Sequence, residues 1–182
     1  MRRALTAAMA LLCLAGAGRA AAATVQMSVL VSPGTLSLDV GQVRTVTVKL
    51  DGSDQQPTVL LPLTISDSTG SGNGWHVTVT STGLSTTGPS PKRLPGDATR
   101  VVSVSSTCAA GASCMPPGNA VAYPFVLPAG AAAPSTVKLI AARADTGLGT
   151  FDVVATLRVD VPATARAGSY TAALTIAVVS GP

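Results

Sequence analysis

The chain contains no glutamate, one histidine, one tryptophan, two tyrosines, two phenylalanines and three cysteines among 182 residues. Each scarcity excludes something. Without glutamate, the paired carboxylates of glycoside hydrolysis would have to come from eight aspartates. Asp39, Asp152 and Asp160 fall at outward positions of alternating segments, while Asp51, Asp54, Asp67, Asp97 and Asp145 fall in turns, and both are ordinary places for solvated aspartate. A Ser-His-Asp arrangement would depend on His76 alone, and no Gly-x-Ser-x-Gly elbow is present. His76 reads instead as a solvated residue on the polar face of a strand, so no enzyme is expected.

Aromatic side chains are equally few. Trp75, Tyr123, Phe125, Phe151 and Tyr170 are the whole set, and at least three of them fall on apolar strand faces, which leaves no row of rings for sugars to stack on. A polysaccharide would have to be held by Ser, Thr and Asn in loops and by Arg and Lys, with weak contacts at each site. Metal and cofactor chemistry is similarly unsupported. Zinc needs more ligands than two nearby thiols, and a calcium site at Asp67, Ser71 and Asn73 lacks the spacing of a calcium loop.

What is present begins with an export signal. Met1-Arg2-Arg3 is basic, Ala4 to Ala17 is apolar and uncharged, and small residues follow to Ala23, which predicts a signal peptide over residues 1–23 with cleavage before Thr24. The apolar part is too short to span a bilayer, and no second hydrophobic segment or sorting motif is found. Cleavage of 23 of the 182 residues leaves 159, enough for one domain over 24–182. Arg2, Arg3 and Arg19 leave with the peptide, so twelve basic residues become nine against eight aspartates. These charges are scattered singly, which gives no reason to expect nucleic acid or an anionic membrane as a partner. Cys13 is also lost. The remaining pair, Cys108 and Cys114, is most simply a disulfide in an exported chain, and it would staple a seven-residue loop.

From Thr24 onward the chain reads as strand after strand. Leu63 to Asp67 and Trp75 to Ser81 flank a Gly/Ser/Asn connector and predict a β-hairpin; Trp75, Val77 and Val79 share its inward face. Leu36, Leu38 and Val40, then Val46, Val48 and Leu50, predict a second hairpin before the Asp51 to Asp54 turn. Pro62 places its strand at an edge, or starts it at Leu63. Residues 88–97 read as a long surface connection, and Pro128 to Ser135 as another loop. The cleanest alternation runs from Thr150 to Val161, and a last strand from Ser169 to Val179 has small residues on its second face, consistent with cover on both sides. No segment past residue 23 has helical periodicity with caps. The fold class expected is all-β, an antiparallel β-sandwich, Ig-like or related, of about nine strands.

Two stretches carry a family resemblance. Asp67 to Thr80, with its turn and Trp-x-aliphatic strand, and Val161-Pro162 followed by Ala167-Gly168-Ser169-Tyr170-Thr171 resemble the WxL-domain family of secreted bacterial surface proteins. The resemblance covers roughly residues 34–182. It is divergent: Trp75-His76-Val77 has Val for the motif's Leu, and Ile176-Ala177-Val178 stands where a second Trp-x-Leu is expected. The resemblance implies a secreted, extracellular, cell-wall-associated module that binds a cell-wall polymer (peptidoglycan) noncovalently, with Trp75 and Val77 as motif residues. The alternative is a structural or adhesive subunit that pairs with other surface proteins.

Overall fold

Residues 26–130 and 134–182 are described by a computed structural model of the chain. The signal peptide expected over residues 1–23 lies outside the described residues, as do 131–133 of the alanine-rich loop. The chain divides into two units, Met1–Val31 and Ser32–Pro182. In the first, Gln26–Val31 forms no strand and its apolar side chains are exposed. All the strands among the described residues lie in the second unit.

Those strands are β1 Leu36–Val40, β2 Thr58–Asp67, β3 Trp75–Ser81, β4 Thr99–Cys108, β5 Phe125–Val126, β6 Val137–Ala142, β7 Gly149–Val159 and β8 Leu174–Ser180. They form an antiparallel five-stranded sheet, β1-β2-β7-β4-β5, and an antiparallel three-stranded sheet, β6-β3-β8. The predicted all-β sandwich is what the described residues show. Period-two alternation supplies the reason: Leu61, Leu63 and Ile65 of β2 and Phe151, Val153, Ala155 and Leu157 of β7 turn one face of the larger sheet inward. Trp75, Val77 and Val79 of β3 and Leu139, Ile140 and Ala142 of β6 face them from the smaller sheet. In β6 the pairing with β3 slips between Val77 and Thr78, so Leu139 is an extra residue and both it and Ile140 are buried.

The expected hairpins are corrected. β2 and β3 lie in different sheets, so the connector Ser68–Gly74 is an arch between sheets and not a hairpin turn. Leu63–Asp67 pairs with Val40–Leu36 on one side and with Val153–Gly149 on the other, which leaves β2 no free edge for β3. The second half of the other hairpin, Thr45–Leu50, forms no strand; Val46 and Leu50 are exposed and Val48 is half-buried despite their alternation.

Pro62 is also not where an edge was expected. β2 runs through it, with β1 and β7 as neighbours. Its carbonyl accepts from Gly41 N at 2.9 Å on the side of β1, and the N of the same residue points the same way, where β1 has just ended at Val40. The missing donor costs only the return bond to the Gly41 carbonyl, just past the end of β1, and none to β7. In the last strand, cover on both sides is not found: Leu174, Ile176 and Val178 are half-buried, but Thr175, Ala177 and Val179 are exposed.

Cys108 and Cys114 are bonded to each other, with Cα atoms 5.6 Å apart. The bridge fastens the end of β4 to the loop after it. For a loop of this length the chain-entropy model gives on the order of 2 kcal/mol.

Candidate functional site

Trp75 is the residue on which the resemblance turns. It is 0% exposed. Its ring lies 6.3 Å from that of Phe151 at an interplanar angle of 52°, bridging the two sheets, and its Nε1 donates to the Gly147 carbonyl at 2.8 Å. A side-chain carbon on Gly147 would lie 2.8 Å from that Nε1 and 2.4 Å from Ala142 Cβ, so only glycine lets the β6–β7 turn close over the indole. Val77 is also fully buried. Both motif residues are therefore core residues, and neither offers a surface to a ligand.

The arch that delivers Trp75 is built from polar side chains bonded to one another. Asp67 is only 4% exposed, contrary to the solvated turn aspartate expected. Its Oδ1 accepts from Thr69 N at 3.0 Å and Thr69 Oγ1 at 2.7 Å, and Ser71 Oγ lies 3.0 Å from Thr69 Oγ1. Asn73 N donates to Ser71 Oγ at 3.3 Å. The three residues weighed for calcium are thus engaged in shaping the arch. Among the described residues no group of three or more His, Cys, Asp or Glu side chains is placed to hold a metal ion.

His76 is half-buried rather than solvated, and its Nδ1 donates to the Gly181 carbonyl at 2.6 Å, which ties the C-terminal residues to β3. Asp160 lies just past β7, between Arg100 Nε at 3.4 Å and Arg158 Nε at 3.3 Å. It borders a cleft of about 260 Å³ with Asp54, Gln55, Gln56, Asp97 and Val161. Asp54 is also engaged, accepting from Ala163 N at 2.7 Å. Two of the cleft's carboxylates, Asp54 and Asp160, are thus already engaged within the chain.

No family model, no curated protein and no solved structure matches the chain. Its second cleft, of about 570 Å³, is apolar: Val40, Val43, Leu61, Ala172, Leu174, Thr175 and Ile176 line it where β1 and β8 face each other. Exposed Val46, Leu50 and Leu60 add to the apolar surface contributed by β2 and the segment after β1.

A polar cluster that sequence alone does not reveal covers the outer edge of β6. Asn119 Oδ1 accepts from Ala141 N at 3.1 Å, Asn119 Nδ2 donates to Tyr123 Oη at 3.1 Å, and Tyr123 Oη donates to the Leu139 carbonyl. Tyr123 stacks on Phe125, with ring centroids 5.8 Å apart. Burial raises the Tyr123 phenol above its ordinary value, against a smaller lowering by Asn119. The folded protein thus holds this proton more tightly than the unfolded chain. Its contribution is full below pH about 10 and fades as pH rises through the raised value. In a Tyr170→Phe variant, the remaining phenolate absorbance is expected to titrate above free tyrosine, with unfolding beginning in the same range; ionisation at the free-tyrosine value in the folded protein would contradict this.

Proposed function

We propose that the chain is an exported bacterial surface protein, a divergent module of the WxL-domain type held noncovalently at the cell wall. The observation that carries the reading is that both stretches of the resemblance are sheet crossings. Asp67 to Trp75 takes the chain from β2 to β3, and Asp160 to Thr171 takes it from β7 to β8. In the first, the arch places Trp75; in the second, Tyr170 Oη donates to the Arg166 carbonyl at 2.8 Å and Thr171 pairs with Ser85. A fold-determining role for these stretches explains why the motif tryptophan is buried, and why Ile176 fills the place of a second one. Wall contacts then fall to polar loops and to single Arg and Lys residues.

Retention on isolated cell walls tests the reading. With nine basic residues against eight aspartates after cleavage, adsorption by net charge contributes little, so high salt is expected to release the protein incompletely and denaturant to release more. No retention at low ionic strength would remove the wall from the proposal. The second reading, a structural or adhesive subunit of a surface complex, is favoured by one observation, the apolar cleft between β1 and β8. Co-purification of other surface proteins with a chain that walls do not retain would select it.

A further inference from the structure

The four outermost strands of the two sheets are not equally protected. Strands β5 and β1 are short, two and five residues, and β1 carries Asp39. The outer edge of β6 is covered by Asn119 and Tyr123, which take up Ala141 N and the Leu139 carbonyl. Strand β8 has none of these devices. Its seven residues, Leu-Thr-Ile-Ala-Val-Val-Ser, include no charge, no proline and no glycine, and it is the last strand of its sheet. An edge of this composition is a template for strand addition.

The register says which backbone groups are offered. Gly181 N donates to the Gly74 carbonyl at 2.9 Å, and the Ala173 carbonyl accepts from Thr82 N at 3.1 Å, so the odd-numbered residues of β8 face β3. By the alternation of an antiparallel ladder, Leu174, Ile176, Val178 and Ser180 turn their N–H and C=O groups outward. Among the described residues no hydrogen bond satisfies them.

We propose that β8 pairs with β8 of a second copy of this chain, antiparallel about a two-fold axis at Ala177, joining two three-stranded sheets into one of six. The sequence is self-complementary in that register. Leu174 stands opposite Ser180 and Ile176 opposite Val178, and these are the residues with outward backbone groups, so every offered donor meets an acceptor. Thr175 stands opposite Val179, and Ala177 meets itself in the closer, non-bonded kind of pair. No charge opposes another, and the one side chain at the axis is small and exposed. Pairing also sets the second copy's half-buried Val178 beside Ile176, which lines the apolar cleft. The second copy therefore extends an apolar surface that the single chain leaves open. The pairing does not depend on the wall being the ligand.

Sedimentation of the purified protein over a concentration series, together with cysteine pairing, tests the proposal. A dimer is expected, and Ala177→Lys should weaken it at least about tenfold by placing two ammonium groups across the axis. Ala177→Cys should form an intermolecular disulfide on its own, since Cα atoms of such a pair lie about 4.5 Å apart, within bridging range. Thr175→Cys and Val179→Cys should cross-link when mixed and much less alone, and exposed Ser103→Cys on β4 serves as the control. The cysteine variants keep the proposal testable should the lysine disturb folding. A monomer at every concentration, with Ala177→Cys cross-linking no faster than the control, overturns it and leaves the edge to a strand of a different protein. A dimer that survives Ala177→Lys but is lost on deletion of Gln26–Val31 overturns it in favour of that exposed apolar segment as the occupant.

Discussion

Trp75→Ala should lower stability by about 3 to 5 kcal/mol, the loss that follows removal of a large buried aromatic and the void it leaves. The indole is fully buried, packs against Phe151 of the facing sheet, and satisfies the Gly147 carbonyl, so both packing and a hydrogen bond are lost together. Trp75→Phe separates the two: it keeps most of the packing but orphans the carbonyl, and about 1 to 3 kcal/mol is expected. Urea unfolding followed by far-ultraviolet circular dichroism measures both, since neither variant retains a tryptophan. In the parent protein the emission of this single tryptophan reports one site, and it should be blue-shifted. A loss under about 1 kcal/mol for Trp75→Ala would mean that the indole is not the core residue described. The same variant bears on function. Because the ring has no exposed surface, any loss of wall retention should track unfolding rather than precede it.

The second large effect is expected one residue earlier. Gly74 has φ of 71°, and a side-chain carbon there would lie 2.3 Å from the Ala142 carbonyl oxygen and 2.8 Å from the Arg143 carbonyl carbon. These are backbone atoms, and β6 would have to move away from β3 to admit a methyl group. Gly70, on the same arch, has φ of 65° and nothing within 4 Å of the corresponding position. Gly70→Ala should therefore cost only the left-handed backbone penalty, about 1 to 2 kcal/mol. Gly74→Ala adds overpacking of about 1 to 3 kcal/mol to that same penalty. Denaturant midpoints of the two variants give the comparison directly. Equal losses would show that the backbone angle alone makes glycine necessary at both positions, and that the close approach of β6 contributes nothing.

Much of the strand content was legible because period-two alternation is a local property. Phe151 to Leu157, Trp75 to Val79 and Leu61 to Ile65 bury the side chains that alternation selects, and the Cys108–Cys114 bridge follows from proximity in an otherwise cysteine-poor chain. Partnership was not legible. Two alternating runs on either side of a glycine-rich connector look the same whether the connector is a hairpin turn or an arch, because both need left-handed glycines and polar side chains that bond to their own backbone. What decides between them is whether β2 has a free edge, and that edge is taken by β1 and β7, drawn from sequence positions far apart.

The same reason explains the other differences. Thr45 to Leu50 alternates as well as a strand does, yet alternation states only which side chains could share a face and not that a sheet edge is available to receive them. Asp67 could have been suspected from the Asp-x-Thr spacing of a side-chain-to-backbone turn, but not its burial to 4% exposure, which depends on how the rest of the chain packs around it. Asp160 meets Arg100, 60 positions away, only because β4 and β7 are neighbours in the larger sheet, whereas Arg158 is two residues from it in the chain. Sequence by itself therefore determined the fold class, the inward residues of the principal strands and the disulfide, all of which depend on spacing along the chain. Only the tertiary structure decided which strands pair, which aspartates are engaged and which edge stays open, because each of these depends on where distant segments come to lie.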